Sequence, residues 1–280
     1  QRAGGATRAS MRNYVLQRIL STIPVMGVVV LFVFFLLRFS PGDPAALIAG
    51  DYATPEDVAK IRVGLGLDKP VYEQLAIWLG ALARADLGTS IYSKLPVTRL
   101  ISQRVVPTLC LALSTLIFAV VFAVPLGTLA AWKAGTWIDR LVMIVAVAGF
   151  SLPVFWLGFL FIYGFSIKLG ILPVQGFVHP GEDFWSFLRH LVLPTLTLGM
   201  VYMALIARIT RASVLEVLSQ DYIRTAVAKG VDNPAVLWRH ALKNAAVPIV
   251  TVIGIGVALL IGGVVVTESV FAIPGLGRLT

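Results

Sequence analysis

Five long uncharged stretches, separated by charged segments, dominate the pattern of the 280-residue chain. A helix rises about 1.5 Å per residue, so about 20 apolar residues cross a hydrocarbon core of roughly 30 Å. Each stretch meets or approaches that length, and none contains Asp, Glu, Lys or Arg. They cover residues 19–37, 105–132, 141–167, 190–207 and 244–267. The pattern predicts an all-α, polytopic bundle of transmembrane helices with five spans.

The composition agrees with a membrane protein. Hydrophobic residues make up 58% of the chain and charged residues 13%, with a mean hydropathy of +0.89. A soluble domain carries about 25% charged residues, and a disordered chain has low hydrophobicity. An ordinary soluble enzyme and a disordered protein are therefore excluded. The single cysteine, Cys110, excludes a disulfide framework and a multi-cysteine metal site, and its apolar neighbours in the sequence predict a buried, inert thiol.

The distribution of charge predicts the orientation of the spans. Segments 1–18, 133–140 and 208–243 share one side and carry 12 Lys and Arg against four acidic residues, whereas the other side carries 11 against 10. Because cytoplasmic loops are enriched in Lys and Arg, the first side, with the N-terminus, is predicted to be cytoplasmic. This distribution accounts for the net charge of +9 without nucleic-acid binding.

These assignments divide the chain into a cytoplasmic segment, a first span, an extracytoplasmic helical loop and a transmembrane core. The four parts are residues 1–18, 19–38, 39–104 and 105–280. We interpret the residues before Met11 as an extension outside the fold. In the extracytoplasmic loop, Thr54 followed by Pro55 and two acidic residues predicts the start of a helix.

The 208–243 loop is predicted to form two helices joined by a turn. Apolar residues continue the helical spacing of the fourth span as far as Val227, and Gly230 then interrupts it. Asn233 supplies a cap for a second helix, and the proline after it takes the first helical position. The expected apolar face of that helix consists of Pro234, Trp238, Leu242 and Ala245. The two helices could anchor in the membrane interface or form a rigid projection that a cytoplasmic partner binds.

The same loop carries a sequence motif. Permease subunits of binding-protein-dependent ABC importers share Glu-Ala-Ala, three residues, Gly, nine residues and Ile-x-Leu-Pro. At those places this chain has Arg224-Thr225-Ala226, Gly230 and His240-Ala241-Leu242-Lys243. The chain resembles these permeases, and its Arg-Thr-Ala and Lys-Gly version is similar to that of the dipeptide, oligopeptide and nickel branch.

Other segments carry the same resemblance, in order, between Met11 and Thr280. They are residues 40–44 (SPGDP), 66–70 (GLDKP), 86–88 (DLG), 151–158 (SLPVFWLG) and 274–277 (PGLG). Such permeases have six spans, so the resemblance implies one span more than the five uncharged stretches provide.

The resemblance implies a set of partners and a mechanism. Two cytoplasmic ATPase subunits bind ATP and Mg and receive the 208–243 loop in a surface groove. A second, similar permease pairs with this one in the lipid of the bacterial cytoplasmic (inner) membrane, and an extracytoplasmic binding protein delivers the substrate. The coupling residues that the resemblance implies are Asp221, Tyr222, Arg224, Thr225, Ala226, Lys229, Gly230, Trp238, Arg239 and His240.

The sequence contains no Gly-x-x-x-x-Gly-Lys-Ser/Thr phosphate loop. We therefore expect a transport subunit that has no catalytic residue, metal or cofactor of its own and leaves hydrolysis to the partner ATPases. Dipeptides or oligopeptides are the expected substrates, with nickel chelates, glutathione and haem as alternatives.

The two rival classes of function are a channel or secondary transporter and a membrane enzyme. A channel or secondary transporter often has ionisable residues in mid-membrane, and the five stretches contain none. A membrane enzyme needs a cluster of catalytic or metal-binding residues, whereas His179, His190 and His240 are scattered along the sequence. Both classes are less consistent with the sequence than an importer permease.

Overall fold

The computed structural model describes four ranges of the chain, residues 3–39, 42–50, 53–90 and 93–279. Within these ranges helices dominate, and the only strand-like pairing is an isolated antiparallel bridge between Thr89 and Pro96. The predicted all-α class is therefore confirmed. Ser40 and Pro41, which begin the SPGDP segment, lie outside the described residues.

The chain forms two compact units, Gln1–Thr98 and Arg99–Thr280. The helices that begin in the first unit are α1 (Ala3–Phe39), α2 (Pro44–Ala49), α3 (Pro55–Gly64), α4 (Val71–Ala83) and α5 (Val97–Trp132). α5 continues into the second unit.

The second unit adds α6 to α12, two π-helical segments and a short 3-10 helix. They are α6 (Trp137–Ser151), α7 (Val154–Phe161) with a π-helical continuation (Ile162–Lys168), α8 (Phe184–Leu218), α9 (Asp221–Ala228), α10 (Asn233–Ala235) with a π-helical continuation (Val236–Ala241), α11 (Leu242–Asn244), α12 (Ala246–Val270) and the 3-10 helix Leu276–Arg278.

Caps define the helix starts in the first unit. The predicted start at Thr54 is confirmed, because Thr54 Oγ1 accepts from the Asp57 N–H (3.3 Å) and Asp57 Oδ2 accepts from the Thr54 N–H (3.2 Å). The hydroxyl and N–H of Thr54 hold the pKa of Asp57 below its ordinary value. Asp43 caps α2 and pairs with Arg62 of α3, which lowers the pKa of Asp43.

The described helices allow three to five membrane spans. Three helical stretches are long and apolar enough on their own, namely Asn13–Leu36, Val97–Trp132 and Phe184–Leu218. Two bent pairs also qualify if each pair is counted as one span: Trp137–Ser151 with Val154–Lys168, bent by 106°, and Asn233–Asn244 with Ala246–Leu260, bent by 59°. The five-span topology with a cytoplasmic N-terminus stays a prediction.

The third uncharged stretch is not one continuous helix, so that part of the prediction is wrong. α6 ends at Ser151, and Leu152 is extended, with φ −84° and ψ 134°. Pro153 then precedes α7. The break has a local cause, because the ring of a proline disfavours helical geometry in the residue before it.

α8 is the central helix of the second unit. It packs against α6, α7 and α12 and is buried along most of its length. α5 crosses it at Gly127, where an added Cβ would lie 2.5 Å from the Ala207 carbonyl oxygen and 2.8 Å from Thr210 Cβ. Only glycine permits so close a crossing, because a side chain there would separate the two helices.

Cys110 is half-buried against the core, not fully buried as predicted. Its neighbours explain the difference, since Leu109 is exposed and Leu111 is fully buried. Cys110 therefore lies at the edge of the face that α5 turns toward the core.

A fully buried carboxylic acid lies near the C-terminal end of α12. Glu268 directly follows the fifth uncharged stretch, and α12 extends past it to Val270. The Thr108 hydroxyl donates to Glu268 Oε1 (2.6 Å) and accepts from the Leu276 N–H (2.8 Å). Gly275 covers the carboxyl group so closely that an added Cβ would lie 1.9 Å from Oε1. Glu268 thus ties α5, α12 and the turn before the 3-10 helix together.

Candidate functional site

The 208–243 segment begins as a continuation of α8. The helix runs to Leu218, which is 11 residues beyond the predicted end of the fourth span at Ala207. It then stops, and the extended Gln220 (φ −73°, ψ 148°) precedes α9. The prediction of unbroken helical spacing as far as Val227 is wrong at this point. At the end of α8 the Ser219 hydroxyl donates to the Glu216 carbonyl oxygen (2.7 Å).

Gly230 forms the predicted turn at the end of α9. Its φ is +80°, in the left-handed region that glycine adopts without strain. The Gly230 N–H donates to the Val227 carbonyl (2.9 Å) and the Val231 N–H donates to the Ala226 carbonyl (3.1 Å). This pair of bonds is a Schellman motif. Nothing lies within 4 Å of the position of a Cβ, so the backbone conformation, not lack of space, requires glycine here.

The second helix begins one residue earlier than a cap at Asn233 would give. Asp232 occupies the cap position without a side-chain hydrogen bond, and Asn233 is the first helical residue. The expected apolar face is also wrong in part, because Pro234 and Trp238 are exposed. The buried side chains are Val236, Leu237, Ala241 and Ala245.

Packing against the long helices sets the buried face. Leu237 and Ala241, four residues apart, share one face of the helix. Together with Ala245 they pack in a small core with Val214 of α8 and Ala131 of α5. The second helix is thus fixed to the ends of two long helices.

The predicted coupling residues lie on the outside of this two-helix projection. α9 packs against the π-helical segment Val236–Ala241 and buries Ile223, a contact residue that the sequence analysis did not single out. Ala226 and His240 are half-buried. The other eight are exposed: Asp221, Tyr222, Arg224, Thr225, Lys229, Gly230, Trp238 and Arg239.

The exposed surface of the projection is rich in cations. Arg224 Nη1 lies 3.3 Å from Asp221 Oδ1, and their side chains are 75% and 96% exposed. A pair this open to solvent contributes little to stability. Arg224, Lys229 and Arg239 are therefore free to meet acidic groups on another surface.

Comparison with known proteins identifies the chain at the level of family. Residues 123–280 match the model of the binding-protein-dependent transport system inner membrane component, and residues 11–112 match its N-terminal model. The chain belongs to this family. The predicted resemblance to the permease subunits of binding-protein-dependent ABC importers is thereby confirmed.

Relatives with curated names cover nearly the whole of this permease. It is 50% identical to the probable peptide ABC transporter permease protein y4tP of Sinorhizobium fredii, over 96% of this chain and 86% of that one. It is 45% identical to the glutathione transport system permease protein GsiC of Escherichia coli O6:H1, over 96% and 85%. The MetNI methionine ABC transporter, solved in inward-facing conformations, shares the fold with a TM-score of 0.52 at 21% identity, over 65% of this chain and 79% of that one.

An ion pair that the sequence analysis missed holds the permease together near the start of its projection. Arg211 of α8 donates to Asp139 of α6 through Nε (2.5 Å to Oδ1) and Nη2 (2.7 Å to Oδ2). The Gly135 N–H also donates to Asp139 Oδ2 (3.0 Å). Asp139 is only 4% exposed. No local motif could have revealed the pair, because 72 positions separate its members.

Proposed function

We propose that the chain is the membrane-spanning permease of an ATP-driven importer of dipeptides or oligopeptides. The observation that carries this proposal is the 50% identity, over 96% of the chain, to a permease named for peptide transport. Glutathione is the second candidate substrate, because a relative at 45% identity is named for it. Glutathione is itself a small peptide, so both names agree on one chemical class.

The proposed assembly extends the family assignment. This permease pairs with a second one in the bacterial inner membrane, two cytoplasmic ATPases bind ATP and Mg, and an extracytoplasmic binding protein delivers the substrate. The chain contributes no nucleotide site, since its sequence has no phosphate loop. Residues 1–18 and 208–243 are cytoplasmic in this arrangement, and residues 39–104 are extracytoplasmic.

The coupling loop is proposed to be the projection formed by α9 to α11. Its exposed cations suit an acidic ATPase groove, and Tyr222 and Trp238 supply exposed aromatic contact area, 46% and 48% exposed respectively. Ile223 and Leu237 are buried, so the projection is held as a rigid body against the end of α8. Movement of the ATPases would then be transmitted to α8 without an intervening flexible loop.

The test is uptake by the reconstituted complex. Proteoliposomes that contain both permeases and both ATPases, with the binding protein present, should take up labelled peptide only with ATP. A substitution of the phosphate-loop lysine in the ATPases should abolish uptake and leave this subunit in the complex. Uptake without ATP would contradict the proposal and favour a channel or secondary transporter. Competition between a dipeptide and glutathione then separates the two candidate substrates.

A further inference from the structure

A small, open groove of about 50 Å³ lies between α6 and α8. Its walls are largely apolar, with Met143, Val147 and Phe150 from α6 and Leu205 from α8. Arg208 is its one charged lining residue. A cation that lies beside apolar groups at the end of a membrane span is a candidate for a functional role.

Arg208 has no carboxylate partner among the described residues. Arg211, one turn later on α8, differs from Arg208 because it binds both carboxylate oxygens of Asp139. Arg208 is exposed, and its guanidinium carbon lies 5.8 Å from the centre of the Phe150 ring. The ring stabilises the cation, and its N–H donors make no hydrogen bond to the part of the chain that the structure describes. The side chain is therefore held in place with its hydrogen-bonding capacity free.

The groove reaches the break between α6 and α7. Ser151, the last residue of α6, lines it, and Leu152 and Pro153 then turn the chain through 106°. Non-helical backbone at membrane depth is tolerated where it lies within protein or lines a water-filled cavity, not where it faces lipid. In secondary transporters, substrate sites lie at discontinuous helices. The break therefore favours a solute over a lipid as the occupant of the groove.

We propose that Arg208, at the cytoplasmic end of the fourth span, binds a carboxylate of the transported substrate as it leaves the membrane. The planar guanidinium fork matches a carboxylate and binds it through two parallel hydrogen bonds. Every peptide with a free C-terminus carries such a group, and the apolar walls can contact its side chains. This inference rests on the proposed function and adds a substrate-binding residue to it.

The experiment compares a dipeptide with its C-terminal amide in proteoliposomes that contain the whole complex. Arg208→Gln should lower the uptake efficiency for the free acid about 10-fold or more, the loss expected for a hydrogen bond between charged groups. It should leave the efficiency for the amide nearly unchanged. The binding protein is the same in every sample, so its own preference cancels in the ratio of variant to wild type.

Two further variants control the measurement. Arg208→Lys keeps the charge without the fork and should show an intermediate loss, which also supplies a result if Arg208→Gln fails to assemble. Arg140→Gln removes an exposed cation from α6 outside the groove and should leave both uptake rates and the ATPase activity without substrate as in wild type.

The possible outcomes distinguish a failure of the Arg208 site from a failure of the proposed function. Equal losses for acid and amide, or no loss for either, would overturn the role of Arg208 and leave the proposed function intact. A loss that occurs only when anionic phospholipid is present would assign Arg208 to a lipid phosphate and would also overturn it. Failure of the wild-type complex to take up either peptide would contradict the proposed function, and the carboxylate site with it.

Discussion

Removal of Arg211 should destabilise the permease more than removal of its partner Asp139. Asp139 is the more deeply buried member, since its side chain is 6% exposed and that of Arg211 is 28% exposed. In Arg211→Met the carboxylate keeps only the Gly135 N–H as a donor. A buried charge left without its partner costs about 3–5 kcal/mol of unfolding free energy.

The reverse substitution should cost less. Asp139→Asn keeps the side-chain volume and an oxygen that can accept from Gly135, and water can reach part of the Arg211 guanidinium. We expect a loss of about 1–2 kcal/mol, within the range for an unsatisfied polar group. In the double variant no charge is left unpaired, so its total loss should be about 1–2 kcal/mol, close to that of Asp139→Asn alone.

Titration of the purified complex with SDS in mixed micelles measures these free energies. The double-mutant cycle should then give a coupling energy of about 3–5 kcal/mol between the two side chains. Additive losses would refute the buried pair. So would a larger loss for Asp139→Asn than for Arg211→Met, because the argument depends on which charge is more deeply buried.

Three other predictions follow from the fold. Cysteines introduced at Thr89 and Asn233 in a Cys110→Ala background should react with a membrane-impermeant reagent from opposite sides of the membrane, and reaction from one side would contradict the five-span topology. Gly230→Val places a valine in the left-handed region, which costs about 1–2 kcal/mol but causes no clash. The variant should therefore assemble and lose substrate-stimulated ATP hydrolysis. Full transport would argue against coupling through this turn. Thr54→Ala should lower the free energy of unfolding by about 1 kcal/mol through loss of the α3 cap, whereas Thr54→Ser should not.

The sequence predicts the helices better than their interruptions. The uncharged stretches predict the long helices, and Gly230 predicts its turn, because local sequence determines the structure in both cases. Proline is an ambiguous signal. Pro153 follows a break, whereas Pro125 and Pro194 lie inside α5 and α8. Which prolines a helix accommodates depends on neighbouring helices that no local pattern describes.

The candidate site shows the same limit. The residues that are proposed to couple could be located in the loop from the motif, but the inward face of the second helix could not. That face is set by packing against α8 and α5, which buries Leu237 and Ala241 and leaves Trp238 exposed. Ile223, which packs α9 against the second helix, could not be distinguished in the sequence from similar apolar residues. Contacts between helices that are distant in sequence decided each of these points.

The contacts among Thr108, Glu268 and Gly275 restrict which substitutions this part of the chain can accept. Its members come from α5, α12 and the following turn, and 160 positions separate Thr108 from Glu268. A Cβ at position 275 would lie 1.9 Å from Glu268 Oε1, so any side chain there would force the buried carboxyl group to move. A shorter residue at 268 would in turn leave the Thr108 hydroxyl and the glycine turn around an empty space. Positions 108, 268 and 275 should therefore change together: related permeases should keep Thr108, Glu268 and Gly275 or replace all three.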